Sequence, residues 1–81
     1  MTQTPTAYAL LNLSREHEVP VSTLTLMLEA QRRIQARPQL PVGPVIGDAL
    51  ESFQRLVPDG ITQIQVWCRL NTILEDEAED V

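Results

Sequence analysis

Between Leu13 and Leu28 the chain reads Leu-Ser-Arg-Glu-His-Glu-Val-Pro-Val-Ser-Thr-Leu-Thr-Leu-Met-Leu. No other stretch of the chain hints as strongly at an architecture. Leu10, Leu13 and His17 recur at the three-to-four spacing of one helical face, with Leu11 beside them. The pattern breaks at Glu18–Pro20 and resumes through Val21, Leu24, Met27 and Leu28. A short helix, a tight corner and a second helix are therefore expected. The first helix should open at Thr4-Pro5, with Thr4 as cap and Pro5 at the first helical position, where a missing N–H costs nothing.

The second helix is expected over Val21–Arg37, with Val21, Leu24, Met27, Leu28 and Ile34 facing inward. Leu26 and Ala30 lie off that stripe and allow a second buried face. Pro38 disfavours helical geometry at Arg37 and ends it. Arg32, Arg33 and Arg37 crowd its last turns, where positive charge suits the helix dipole. Residues 38–44 hold three prolines and read as a stiff, extended linker.

A third helix should begin near Pro44 or Gly47 and show Val45, Ile46, Ala49, Leu50, Phe53, Leu56 and Val57 on one broad face. Pro58-Asp59-Gly60 is a turn in which Asp59 caps the next helix. That fourth helix, Ile61 to about Leu74, carries two apolar stripes. One is Ile61, Ile64, Trp67, Cys68 and Leu74; the other is Val66, Leu70 and Ile73. Two such faces place it at the centre of the fold or at a surface shared with a second subunit. Val66, Trp67, Leu70, Ile73 and Phe53 are the expected partner or dimer contacts. Residues 75–81 should fray as an acidic, mobile tail.

The expected fold is all-α, a bundle of about four short helices forming one domain over residues 1–81. It comprises a helical pair (5–37), the linker (38–44), a C-terminal helical hairpin suited to dimerisation (45–74) and the tail. The aromatic content is 4%, only Tyr8, Phe53 and Trp67. Leu, Val and Ile must therefore build the core, and a chain of 81 residues gains apolar area by pairing with a copy of itself. A homodimer, or a larger protein partner, is expected.

Charge is uneven. Four Arg face three Glu up to Arg37, whereas two Arg face eight acids after it, giving −5 in all. Only the N-terminal half could offer nucleic acid a basic face. Cys68 is the single cysteine, so no intramolecular disulfide forms. The opening Met-Thr-Gln-Thr-Pro-Thr lacks the flank and apolar run of a signal peptide, and no segment reads as membrane-spanning. A cytoplasmic protein is the expectation.

Neither catalysis nor cofactor binding is expected. One histidine, His17, would have to serve every nucleophile–base arrangement, and it sits in an ordinary helical pattern. It has no neighbours at metal-ligand spacing. Cys68 beside Trp67 reads as a small buried hydrophobe. The three glycines form no phosphate loop, and the acidic run lacks the alternating ligands of a calcium loop. Catalytic residues, metal ligands, cofactors and a small-molecule substrate are all expected to be absent.

Leu13 to Met27 resembles the helix-turn-helix of bacterial repressors, particularly the lactose-repressor type. Leu13, Val19, Leu24 and Met27 fall where that motif buries apolar residues, and Ser14 where a small residue lets the helices cross closely. The resemblance implies a second helix lying in the DNA major groove. Val21, Ser22, Thr25 and Leu26 would then approach base edges, while Arg15, Arg32 and Arg33 contact phosphates. Glu18 stands where the family prefers glycine, Pro20 where a Ser or Thr caps, and Leu26 where an arginine or polar reader is common.

Two functions fit these residues best, with a plain structural protein as a third possibility. The first is a non-enzymatic regulator acting through protein–protein contacts, as an inhibitor, anti-activator or adaptor. The other is a DNA-binding transcriptional regulator. Net acidity and the lack of base-reading side chains favour the former.

Overall fold

The computed structural model describes residues 5–79, and the helices fall where proline and glycine punctuate the sequence. They are α1 (Pro5–His17), α2 (Val21–Ala36), α3 (Pro44–Leu56) and α4 (Gly60–Glu79), with no strand among the described residues. The chain is a small all-α bundle. Thr4, the expected cap of α1, and the last two residues of the acidic run lie outside the described residues.

α2 is the hub, packing against α1, α3 and α4, while α1 also meets α4. Its inward face is Leu24, Met27, Leu28, Ala30 and Gln31. Val21 and Ile34, expected in that stripe, are exposed instead. A helix with neighbours on several sides buries a broad middle and frees its ends, so a single narrow stripe misassigned them. Buried Gln31 donates from Nε2 to the Trp67 carbonyl at 2.7 Å, which satisfies its polar group and ties α2 to α4.

The corner between α1 and α2 is a Schellman-type ending. Val19 N–H donates to the Ser14 carbonyl at 3.1 Å across five residues, and the Ser14 hydroxyl donates back to the Val19 carbonyl. Between them Glu18 takes φ of 56°, the one non-glycine residue with positive φ among those described. Val19 then tucks into the same core cluster as Leu13. A side chain in this left-handed region crowds its own carbonyl, and Glu18 also places an acid at the negative end of α1. Glu18→Gly is therefore expected to stabilise the fold by about 0.5–1 kcal/mol, the relieved strain exceeding the added freedom of the unfolded chain. Thermal melting checks this; an unchanged or lower midpoint would mean that the corner relaxes out of the left-handed region.

α3 starts at Pro44 and lays Ile46, Ala49 and Phe53 into the core. Val45 and Leu56, placed on its broad buried face by spacing alone, are exposed. Asp59 caps α4 as expected: its carboxylate accepts the Thr62 N–H at 3.1 Å and the Thr62 hydroxyl at 2.6 Å. These hydrogen bonds, led by the one from the Thr62 side chain, hold the Asp59 carboxyl below its usual range.

α4 runs past its expected end at Leu74 to Glu79. The continuation is anchored, since Glu77 accepts from Arg32 Nη2 at 2.7 and 2.9 Å and from the Thr6 hydroxyl at 3.1 Å. Glu77, foremost through its hydrogen bond with Arg32, raises the guanidinium above its ordinary range. An acid at a helix C-terminus opposes the dipole, and Arg32 offsets it.

Candidate functional site

The residues expected on the DNA-facing side are split in two. Val21, Ser22 and Thr25 are exposed on the first turns of α2, Leu26 is half-buried, and Arg15 is exposed on α1. The Thr25 hydroxyl donates to its own helix, at the Val21 carbonyl. Arg32 and Arg33 lie at the far end, ten residues beyond Ser22 and so about 15 Å along the axis. Both are occupied within the chain. Arg32 pairs with Glu29 and Glu77, and Arg33 pairs with Glu29 while donating to the Val42 carbonyl. With Ala36, Arg37, Leu40 and Pro41 they line a shallow hollow. Near the corner, Glu16 hydrogen-bonds Arg69 of α4, and this bond keeps its carboxyl below the usual range. The start of α2 is therefore accessible, with Arg15 as the nearest of the three expected phosphate ligands in sequence.

The residues expected on the partner face are also divided, by burial. Val66, Leu70, Ile73 and Phe53 sit in the chain's own hydrophobic core. Their apolar area is consumed within one molecule, so they offer no surface to a partner. Trp67 alone of the five is half-buried, packed against that core with one side open. Leu74, assigned to the same stripe as Trp67, is buried as well.

What remains uncovered on α4 is the rest of that stripe, Ile61, Ile64 and Cys68. Ile61 is 70% exposed and Ile64 65%, and Cys68, expected to be buried, is exposed one turn further on. Residues 61, 64 and 68 follow helical spacing, so they form a row on the side opposite Val66, Leu70 and Ile73. Beside the row lies a groove of about 290 Å³ between α3 and α4. Met27, Leu50, Phe53 and Trp67 supply its apolar lining, with Gln54, Gln63 and Ile64 on its sides. No lining residue is charged, and neither is any residue from Gly60 to Cys68. Scattered exposed apolar side chains are ordinary on protein surfaces. A ridge and a hollow side by side, free of charge over nine residues, make a patch suited to apolar contact.

The sequence held the signal that separates the two stripes. Carried along the helix, the row Ile61, Ile64, Cys68 continues as Asn71, Thr72 and Glu75, whereas Val66, Leu70 and Ile73 continue beside Leu74. Only the second stays apolar from Val66 to Leu74. The groove residues Leu50, Gln54 and Gln63 could not be found this way, because their meeting depends on how α3 crosses the bundle.

Among the described residues no three His, Cys, Asp or Glu side chains are grouped so as to hold a metal, and His17 is half-buried at the end of α1. No helix is long and apolar enough to cross a membrane, among the described residues. Comparison with protein-family models, curated proteins and solved structures finds no match to this chain.

Proposed function

We propose that this chain is a non-enzymatic, cytoplasmic regulatory protein that works by docking the outer row of α4, with its adjoining groove, onto a protein partner. One observation carries the reading: Ile61 and Ile64 stand in solvent beside an uncharged groove while a complete core lies behind them. The bundle does not need these side chains for folding, and exposing them costs solubility, so contact with another protein is the use that fits them. Trp67 at the groove edge supplies the kind of aromatic anchor that dominates such contacts.

A second reading, DNA binding through α2, is favoured by the left-handed corner at Glu18 and the open face of Val21, Ser22 and Thr25. It is the weaker of the two on charge. Arg32 and Arg33 are engaged by Glu29 and Glu77, and the sequence-independent attraction to phosphate scales with free positive charge.

Site-specific photocrosslinking in the producing cell separates them. A benzophenone side chain at position 64 is expected to give discrete protein adducts, and one at position 8, equally in solvent on α1, none. Position 22 would yield nucleic-acid adducts under the second reading. Nucleic-acid adducts at 22 with no protein adduct at 64 would overturn the first.

A further inference from the structure

We infer that the hollow at the end of α2 docks an acidic peptide segment of a partner protein, which sets a carboxylate between Arg33 and Arg37 and an apolar side chain on Leu40 and Pro41. The hollow shares no lining residue with the α3–α4 groove, so this is a second site, beyond the docking of α4.

The donors for a carboxylate are present and uncommitted. Glu29 reaches Arg32 Nη1 and Arg33 Nε, Glu77 takes Arg32 Nη2, and the Val42 carbonyl takes Arg33 Nη1. Arg33 Nη2 is left over. Arg37 makes no side-chain hydrogen bond or ion pair with any described residue. It closes α2 with its backbone N–H instead, which donates to the Arg33 carbonyl at 2.8 Å. Its guanidinium therefore has no work to do in the fold. Two cations four residues apart at one helix end repel each other, and the acid that relieves Arg33 does not pair with Arg37. A carboxylate set between them removes that repulsion and accepts paired N–H bonds from a planar guanidinium.

Charge and shape select the occupant. Three arginines face one glutamate around the hollow, on a chain whose net charge is −5, so it is a positive spot in a negative field. A short acidic segment matches such a spot. A duplex carries its charge continuously and would meet Glu29 and Glu77 as well. No aromatic ring lines the hollow to stack a base; Ala36, Leu40 and Pro41 are its remaining members. Leu40 has 51% of its surface in solvent, an aliphatic seat beside the cations. Clustered arginines of this kind recognise acidic motifs. The hollow measures about 460 Å³ but is open, so it wraps too little of a small molecule to hold it, whereas an extended segment continues past its edges.

The test is an NMR titration of the isotope-labelled chain with the capped peptide Asp-Glu-Leu-Asp-Glu. Saturable shifts are expected at the Leu40 methyls and at the Arg33 and Arg37 side-chain N–H groups, with a dissociation constant below about 1 mM at low salt. Raising the salt should weaken binding. Arg37→Gln should raise the constant at least about fivefold and Leu40→Ser at least about threefold, both with wild-type helicity, since neither residue lies in the core. Arg15→Gln, exposed on α1 outside the hollow, should leave it unchanged. No saturation up to about 10 mM, or Arg37→Gln binding like the wild type, would overturn the site. An Arg15→Gln effect as large as that of Arg37→Gln would overturn it too, by showing diffuse attraction. Equal binding of Asn-Gln-Leu-Asn-Gln would remove the carboxylate from the account. Displacement of the peptide by a lower concentration of a short DNA duplex would overturn a peptide occupant in favour of nucleic acid.

Discussion

Leu70→Ala is expected to lower the melting temperature by about 10 °C or more, the largest effect of any single truncation on α4 outside Trp67. Leu70 is wholly buried, in one cluster with Leu13, Leu24, Met27, Leu28 and Val66. Removing its terminal carbons forfeits their transfer out of water and leaves a void between α2 and α4 that rigid helices close only in part. Leu→Ala changes at such sites cost about 2–5 kcal/mol. A domain of this size holds only about 4–12 kcal/mol in total, so the variant sits close to unfolding at room temperature. The sequence pattern placed Leu70 on a partner surface, where the same change would have spared the fold. Thermal denaturation followed by circular dichroism distinguishes these outcomes, and a melting temperature within a few degrees of wild type would return Leu70 to the surface.

Gly43→Ala is expected to cost about 1–3 kcal/mol, although nothing crowds the position. Gly43 precedes α3 at φ 94° and ψ 164°, a region that a residue with a Cβ scarcely enters. The nearest atom to an added Cβ would be an Arg33 nitrogen at 4.0 Å, so the cost is backbone strain and not collision. The strain matters because this residue turns the chain out of segment 38–42, where Arg33 donates to the Val42 carbonyl at 2.9 Å, into the first turn of α3. Gly47→Ala is the control. It lies within α3 with open space around it and should be neutral or stabilising by up to about 1 kcal/mol. Equal melting temperatures for Gly43→Ala and wild type would show that the linker adopts another path.

The four helices were legible because their ends are written in residues with one physical meaning each: Pro5, Pro38, Pro44, and Asp59 with Gly60. The corner at Glu18 was legible from the break in the apolar pattern, and the left-handed residue falls where a resemblance to repressor motifs placed a glycine. Which stripe of α4 faces inward was legible only in part, since the outer one is apolar up to Cys68 and the inner one only from Val66 onwards. Burial of Gln31 and exposure of Val45, Leu56 and Cys68 were not legible. They follow from α2 taking the centre of the bundle, and local spacing records nothing of which helix a face meets. The run from Glu75 was read as solvated tail because acids lack an apolar reason to order. Its first five residues join α4, with Glu77 held by Arg32, a residue 45 positions earlier.

The division of α4 into an inner stripe that holds the fold and an outer row free for docking is tested most directly by far-ultraviolet circular dichroism at 25 °C of Leu70→Ala beside Ile64→Glu. Wild-type helicity in Ile64→Glu, together with lost or readily melted helicity in Leu70→Ala, is the expected result. Collapse of Ile64→Glu with a well-folded Leu70→Ala would contradict it, placing the outer row in the core and leaving no surface for a partner.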